Sequence, residues 1–212
     1  MAEFLPTARS PISPAPPVTV EHGWEVSARR GSADLLITDC TLLAKVHVRA
    51  AENGTVARAL GAGFGRAARD ERGALIVGSG PGEWLLISPP GTAPEVAGRV
   101  EAAPEDGLVS VVDVTHGRAL MRISGAKTAE LLAKVCGIDL SEDVTPNGAA
   151  FRSSVAKVVA DVVRDDEDGV RSYLLHCPRS YGQYLFDALL DAGDEFGIEI
   201  DGFIAPVAHG KE

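Results

Sequence analysis

The chain has 212 residues, of which 45% are apolar and 24% are charged, and its formal net charge is −10. These values are ordinary for a soluble globular protein with one large domain, or two small domains that share a core. A net negative charge repels phosphate backbones, and no apolar run reaches the ~20 residues that a membrane span requires. We therefore expect neither nucleic acid nor a membrane as a partner.

The cellular compartment is predicted from the N-terminus and the cysteines. The first 20 residues lack the basic start and continuous apolar core of a secretory signal. The three cysteines, Cys40, Cys136 and Cys177, are an odd number and form no Cys-x-x-Cys pair. This pattern indicates reduced thiols that fill a core, in a cytoplasmic protein.

Residues 1–22 are predicted to form an N-terminal arm. Five prolines between positions 6 and 17 prevent a helix and favour an extended chain. Such a segment is either disordered by itself or lies along a groove of a partner. The regular polar and apolar pattern begins at Trp24. Trp84 is predicted to be a core residue at the start of a strand, and its alternative role is that of an anchor in a contact with another chain.

Two similar series of elements follow the arm. In residues 23–107 the pattern predicts strands over 35–37, 45–49, 74–77 and 84–88, and helices over 54–62 and 92–103. In residues 108–195 it predicts strands over 108–114, 119–123, 151–163 and 170–176, and helices over 126–135 and 180–192. Residues 196–212 are a C-terminal tail. The acidic run at 165–169 is predicted to be the solvated tip of a hairpin.

A short sequence echo suggests that the two series are copies. Gly82–Pro89 and Tyr173–Pro178 each contain an aromatic residue, a short apolar run and a proline, and each precedes a predicted helix. We predict an α+β fold of two pseudo-repeated strand–helix–strand–strand–helix units.

The chain carries few motifs for chemistry. The glycines at 61, 63 and 65, and those at 78, 80 and 82, have the wrong spacing and context for a nucleotide-binding loop. The histidines show no metal-ligand spacing, and the neighbours His176 and Cys177 point to opposite faces of a strand. The best constellation is Asp113–Arg118, in which Asp113 could orient His116 as a base. The structural interpretation is favoured, in which Asp113 and Thr115 bond to their own backbone at a turn and Arg118 pairs with Asp113.

Five segments, in order and spacing, resemble the gamma subunit of heterotetrameric sarcosine oxidase. They are Arg-Ser-Pro-Ile at 9–12, Gly-Glu-Trp-Leu-Leu at 82–86, Val-Val-Asp-Val-Thr-His-Gly-Arg at 111–118, the segment 123–134, and Pro-Arg-Ser-Tyr at 178–181. That family is related to the folate-binding aminomethyltransferase of the glycine cleavage system. The resemblance implies the aminomethyltransferase-like fold and explains the repeat.

The resemblance also implies a role. The gamma chain assembles with alpha, beta and delta chains into an enzyme that oxidatively demethylates sarcosine to glycine. Hydrogen peroxide is formed, and the one-carbon unit leaves as formaldehyde or as methylenetetrahydrofolate. FAD, FMN and NAD are expected on partner subunits and tetrahydrofolate as a co-substrate of the complex, with no catalytic, cofactor or metal residue on this chain. The expected partner contacts are Arg9, Ser10, Pro11, Ile12 and Trp24.

Two alternatives remain open. One is a stand-alone folate-binding protein of the same fold, similar to iron–sulfur maintenance proteins that carry a Lys-Gly-Cys motif. The nearest match, at residues 134–137, has a broken order. The other is a small hydrolase that uses Asp113 and His116.

Overall fold

A computed structural model of the chain describes residues 6–103 and 107–204. Within these ranges lie three β-sheets and four α-helices. The strands are β1 (Ala8–Arg9), β2 (Val18–Glu21), β3 (Trp24–Ser27), β4 (Leu35–Asp39), β5 (Ala44–Arg49), β6 (Ala67–Arg69), β7 (Leu75–Gly80), β8 (Glu83–Ser88), β9 (Ser110–Asp113), β10 (Arg118–Gly125), β11 (Ala150–Val155), β12 (Val158–Arg164), β13 (Ser172–Pro178) and β14 (Glu199–Asp201). The helices are α1 (Thr55–Leu60), α2 (Ala93–Glu101), α3 (Thr128–Ala133) and α4 (Gly182–Gly193).

The first repeat forms most of a five-stranded antiparallel sheet with the order β6-β7-β8-β5-β9. Alternation along β5 places Val46 and Val48 on the outer face, where they pack with residues of α1 and α2. Thr92 precedes α2. Its hydroxyl donates to the carbonyl of Pro89 at 2.8 Å and does not cap the helix.

The second repeat forms most of a six-stranded sheet with the order β11-β12-β13-β10-β4-β14. The outer face is covered by α3 and α4. Leu131 and Leu185, on these two helices, are both 0% exposed and pack with Met121 and Ile123 of β10. The acidic run at 165–169 joins β12 to the antiparallel β13 in the predicted hairpin, but Asp165 is 8% exposed and is not part of a solvated tip.

The two repeats exchange one strand. β4 belongs to the first repeat in sequence but pairs with β10 of the second repeat. β9 belongs to the second repeat in sequence but pairs with β5 of the first repeat. With that exchange the order of corresponding strands is the same in both sheets, β6-β7-β8-β5-β9 and β11-β12-β13-β10-β4. The predicted α+β fold with two repeated units is confirmed. Residues 23–107 contain six strands (β3–β8) and residues 108–195 contain five (β9–β13), where four were predicted in each.

The inner faces of the two sheets pack on each other. Leu75 and Leu85 of the five-stranded sheet and Leu120, Val163 and Leu174 of the six-stranded sheet belong to one buried cluster. Because each sheet is covered by helices outside and by the other sheet inside, the chain has a four-layer order of helix, sheet, sheet and helix. The predicted boundaries at residues 22, 107 and 195 stay predictions, since sheets and repeats do not coincide.

One predicted strand, 151–163, is wrong as a single element. The chain reverses at Ala156 and Lys157, which both have positive φ (46° and 68°), and forms the hairpin of β11 and β12. This turn conformation is usually occupied by Gly or Asn, so the sequence carries no turn signal there. Of the N-terminal arm, residues 1–5 lie outside the described residues, as do 205–212 of the predicted tail.

Candidate functional site

The arm is bound to this chain itself. Ile12 is 1% exposed and packs in the core of the six-stranded sheet. The backbone N–H of Ser13 donates to the Gln183 side chain at 2.7 Å, at the start of α4. Arg179 donates to the carbonyl of Arg9 at 2.6 Å. These contacts hold the arm along the N-terminal end of α4.

The five residues predicted as partner contacts therefore differ in their surroundings. Ser10 accepts a hydrogen bond from the backbone N–H of Ile12 at 3.1 Å, and Pro11 lies beside Gly182. The exposed side chain of Arg9 pairs with Glu25 at 3.0 Å. Ile12 and Trp24 are buried within the chain, so their side chains contribute to its own core. A contact of this arm with another subunit stays a prediction.

Trp24 contacts His116, which lies in the segment 113–118 that was the best candidate for acid–base chemistry in the sequence. Its ring stacks on His116, with the centroids 4.7 Å apart and an angle of 11° between the planes. Asp113 accepts a hydrogen bond from the backbone N–H of Thr115 at 2.8 Å, and the Thr115 hydroxyl accepts from the N–H of Lys45 at 3.0 Å. No hydrogen bond or ion pair joins the two described residues Asp113 and His116. The segment thus fixes a turn and is not arranged as an acid–base pair.

A charged cluster that the sequence analysis missed lies between the two sheets. It consists of His47 and Glu83 on the five-stranded sheet and Arg152, Asp161 and His176 on the six-stranded sheet. Strand register aligns the last three side by side, because Arg152 pairs with Asp161 and Asp161 with His176. We call these five residues the inter-sheet cluster.

Short contacts link the cluster from end to end. Glu83 lies 3.2 Å from His47 and 3.3 Å from Arg152. Arg152 donates to Asp161 at 2.7 Å, and Asp161 lies 3.3 Å from Nε2 of His176. The angle at His176 is not that of a hydrogen bond, and neither of its buried ring nitrogens has a partner among the described residues. The cluster joins the two sheets electrostatically.

Burial and neighbouring charge set the protonation states in this cluster. Burial lowers the pKa of His176 to about 4, against the opposing effect of Asp161, and the positive charges of Arg118, Arg152 and Lys45 add to the decrease. Burial alone would raise the pKa of Glu83, but hydrogen bonds from His47 and Arg152 outweigh it and the net pKa is lowered. His176 is therefore neutral and Glu83 ionised at pH 7.

A second charged group lies further along the same strands. Asp165 accepts hydrogen bonds from Arg69 at 2.6 Å and from Arg122 at 2.7 Å, and Arg122 also donates to the Ser172 hydroxyl at 2.6 Å. Arg69 lies on β6 of the five-stranded sheet and Arg122 lies on β10 of the six-stranded sheet, so this group also bridges the two sheets.

The buried nucleophiles are not activated. Burial raises the pKa of Cys40 to about 12 and that of Cys177 to about 11, so both thiols stay protonated. Burial lowers the pKa of Lys45 to about 7, although Asp39 opposes this. The Lys45 ammonium donates to the carbonyls of Thr41 and Leu43 at 2.6 and 2.7 Å, which is a structural role. All three cysteines are free and buried, as predicted.

His176 and Cys177 are not placed to bind one metal ion together. His176 faces the inter-sheet cluster, whereas Cys177 packs in the outer core, so the two neighbours do point to opposite faces. In residues 6–103 and 107–204 no group of three or more His, Cys, Asp or Glu side chains is placed to hold a metal ion. In the same ranges no helix is long and apolar enough to cross a membrane.

Comparison with known proteins identifies the family to which this chain belongs. The family model of the GCVT N-terminal domain matches residues 72–206. The chain belongs to the GCVT N-terminal domain family. Among relatives of this family member, the gamma subunit of sarcosine oxidase from Corynebacterium sp. (strain P-1) is 27% identical over 188 residues, which cover 84% of this chain and 90% of the relative. The gamma subunit from Arthrobacter sp. is 28% identical over 186 residues, which cover 83% and 89%.

Other similarities of this GCVT-family chain are more partial. Human mitochondrial dimethylglycine dehydrogenase is 28% identical over 127 residues, which cover 59% of this chain but 15% of that protein. The fold is similar to a chain of heterotetrameric sarcosine oxidase from Corynebacterium sp. U-96, with a TM-score of 0.68, 23% identity and coverage of 80% and 89%. It is also similar to aminomethyltransferase T from Bartonella henselae, with a TM-score of 0.65, 16% identity and coverage of 87% and 55%.

Proposed function

We propose that this chain is the gamma subunit of a heterotetrameric sarcosine oxidase and is itself not catalytic. The observation that carries the proposal is the length of the correspondence. The matches to two gamma subunits extend over 84% and 83% of this chain and over 90% and 89% of those relatives. A shared domain alone would leave a large part of one partner unmatched, as with the dehydrogenase, of which 15% is covered.

In this proposal the chemistry belongs to the assembly. The complex oxidises the methyl-bearing C–N bond of sarcosine to an imine. Water adds to the imine and the C–N bond breaks to give glycine and formaldehyde, or tetrahydrofolate accepts the carbon as methylenetetrahydrofolate and glycine leaves. Oxygen takes up the two electrons and becomes hydrogen peroxide. The partners are alpha, beta and delta chains, of which the larger alpha and beta chains hold FAD, FMN and NAD, and the complex is cytoplasmic.

The arrangement of reactive groups supports a structural role. The two thiols with raised pKa are protonated, the Lys45 ammonium is bound by two carbonyls, and Asp113 holds a turn. A catalytic base or nucleophile needs a partner that activates it and a free side toward the substrate. The Lys45 ammonium and the Asp113 carboxylate bind groups of the protein where a substrate would have to approach. The pKa values of the two thiols are shifted away from reactivity.

Tetrahydrofolate is the ligand that the fold family suggests, and the inter-sheet cluster does not fit its pteridine ring. Both carboxylates that could bind the ring are already engaged. Glu83 is held by His47, Arg49 and Arg152, and Asp161 by Arg152. We therefore propose that tetrahydrofolate acts as a co-substrate elsewhere in the complex.

The proposal is tested by co-expression of this chain, tagged, with the alpha, beta and delta chains of a sarcosine oxidase. We expect a flavin-bearing complex whose native mass equals one copy of each of the four chains. The isolated tagged chain should be colourless and inactive. Purification of this chain as a lone molecule, beside an alpha–beta–delta complex of full activity, would contradict the proposal.

A stand-alone folate-binding protein is the second candidate, favoured by membership of the GCVT family and by the fold of aminomethyltransferase T. Isothermal titration of the purified chain with tetrahydrofolate separates the two. Saturable micromolar binding in the absence of other chains supports the second candidate. Lack of binding, together with assembly, supports the first.

A further inference from the structure

The outer face of the five-stranded sheet contains an apolar pocket between α1 and α2. Its volume is about 150 Å³. Ile76 and Leu86, on neighbouring strands β7 and β8, form the floor, and Leu60 and Val100 form the walls. Ala59 lines the pocket and is exposed, so it lies at the mouth. We call this cavity the helix pocket.

The second repeat shows how the same position is filled when the helices meet. There α3 packs directly on α4, because Gly193 has no side chain and Leu131 occupies the space beside it. A Cβ atom at Gly193 would lie 2.7 Å from the Leu131 side chain. The helix pocket is therefore the gap that this repeat leaves where the other repeat has close helix packing.

Arg99 gives the helix pocket a polar edge. It lines the pocket, and its Nε atom is buried without a hydrogen-bond partner among the described residues. Its ion pair to Asp70 is long at 3.4 Å. Asp70 in turn accepts the backbone N–H groups of Arg72 and Ala74 at 2.9 and 2.8 Å. A buried donor without an acceptor costs stability, so an additional acceptor at this edge is favourable.

The size and the charge together indicate an occupant. A cavity of this volume holds one benzene-sized group, which corresponds to a single Leu or Phe side chain. The charge complementary to Arg99 is a carboxylate, which can accept two N–H bonds in parallel. An apolar anchor in a pocket with a polar edge is the usual form of a binding hot spot between proteins.

We propose that the helix pocket receives one Leu or Phe side chain from another subunit of the oxidase, and that Arg99 pairs with an Asp or Glu beside it in that subunit's sequence. The inference rests on the proposed function, since it names a contact within that assembly. It assigns the outer face of the first repeat to a subunit interface.

The test fills the mouth of the helix pocket. Ala59→Trp places an indole where the partner side chain would enter, without altering a buried residue. The matched control is Ala102→Trp, an exposed alanine just after α2 that does not line the pocket. Each variant is purified as the co-expressed four-chain complex, and mass photometry on dilution gives the concentration at which this chain dissociates.

We expect Ala59→Trp to raise the dissociation concentration at least about tenfold, since a hot-spot side chain contributes at least that much to affinity. Ala102→Trp should stay within about twofold. The charge is tested by Arg99→Gln, which should raise the dissociation concentration about five- to tenfold. The control Arg72→Gln removes an exposed pair with Glu95 and should change the dissociation concentration less than twofold.

Three results would overturn the inference. If the unaltered chain does not assemble, both the inference and the proposed function fail. If it assembles and Ala59→Trp assembles equally well, the inference alone fails. Photo-crosslinking through p-benzoylphenylalanine at position 102, where a large side chain leaves the pocket open, identifies the neighbour. A crosslink to an apolar residue beside Asp or Glu in another subunit supports the inference, and a crosslink to a second copy of this chain overturns it.

Discussion

The two repeats share a strand order but differ in the helices that cover them. In the second repeat, Leu131 of α3 is 0% exposed and packs against the end of the 12-residue helix α4. In the first repeat, α1 and α2 are 6 and 9 residues long and leave a cavity of about 150 Å³ between them. The comparison teaches that strand pairing fixes the sheet, while the helix layer is free to diverge. One repeat completes its outer core alone, and the other leaves room for an additional side chain.

The largest test of this difference compares one leucine on α3 with one leucine on α1. Leu131→Ala should lower the free energy of unfolding by about 3–5 kcal/mol, because it leaves a cavity in a fully packed core. Leu60→Ala, on α1, should cost about 2 kcal/mol or less, because that side chain is 9% exposed and already borders the helix pocket. Urea unfolding of both variants gives the values. Equal losses would show that the two helix layers are equally packed.

Two helical glycines sharpen the comparison. Gly193→Ala should destabilise the chain by about 1–3 kcal/mol, because the new methyl group meets Leu131 and Ile198 at 2.7 and 2.8 Å. Gly98→Ala, in the middle of α2, meets no atom within 4 Å and should stabilise by about 0.5–1 kcal/mol. Thermal unfolding should therefore shift in opposite directions. A decrease for Gly98→Ala would mean that α2 is more tightly enclosed than described.

The inner face of the six-stranded sheet carries a buried histidine, His176, whose lowered pKa makes stability depend on pH. Burial lowers the pKa of His176 to about 4 from 6.5, so the unfolded state binds the additional proton between these values. The stability contributed by neutral His176 is complete above pH 6.5 and decreases as the pH falls toward 4. One such group costs about 1 kcal/mol between pH 6.5 and 5.5. Lys45, with a pKa of about 7, is mostly protonated in both states over this range.

The measurement is the free energy of unfolding at pH 6.5 and 5.5 for the native sequence and for His176→Gln. The variant should lose about 1 kcal/mol less over this interval. His47→Gln serves as control, because His47 is partly exposed and lies beside the ionised Glu83. An identical pH dependence in the native chain and His176→Gln would contradict the assignment of a buried neutral imidazole.

Local patterns in the sequence were sufficient for most elements of the repeats. Period-two alternation located β5 at 45–49, where the structure has Ala44–Arg49, and the glycine at 61 ends α1 with a φ of 71°. The hairpin between β11 and β12 was missed because Ala156 and Lys157 carry no turn signal. The short strands β6 and β14 were missed because they have three residues each, too few for a periodic pattern.

Contacts between distant parts of the chain could not be predicted from local sequence patterns. The inter-sheet cluster gathers residues from positions 47 to 176, which become neighbours through strand register within each sheet and through the packing of the two sheets on each other. The adjacency of His176 and Cys177 was noticed in the sequence, but their surroundings depend on which face of β13 meets the other sheet. Trp24 and Ile12 were interpreted as contacts with another chain, whereas stacking on His116 and packing in the outer core occupy them within this one.

The exchange of β4 and β9 has an evolutionary consequence. Each sheet is completed by a strand from the opposite copy, so neither copy could be deleted without leaving an unpaired edge in the survivor. Duplication here has become irreversible. Two fragments divided between α2 and β9 should be unable to fold separately, yet should recombine with each other as a split protein.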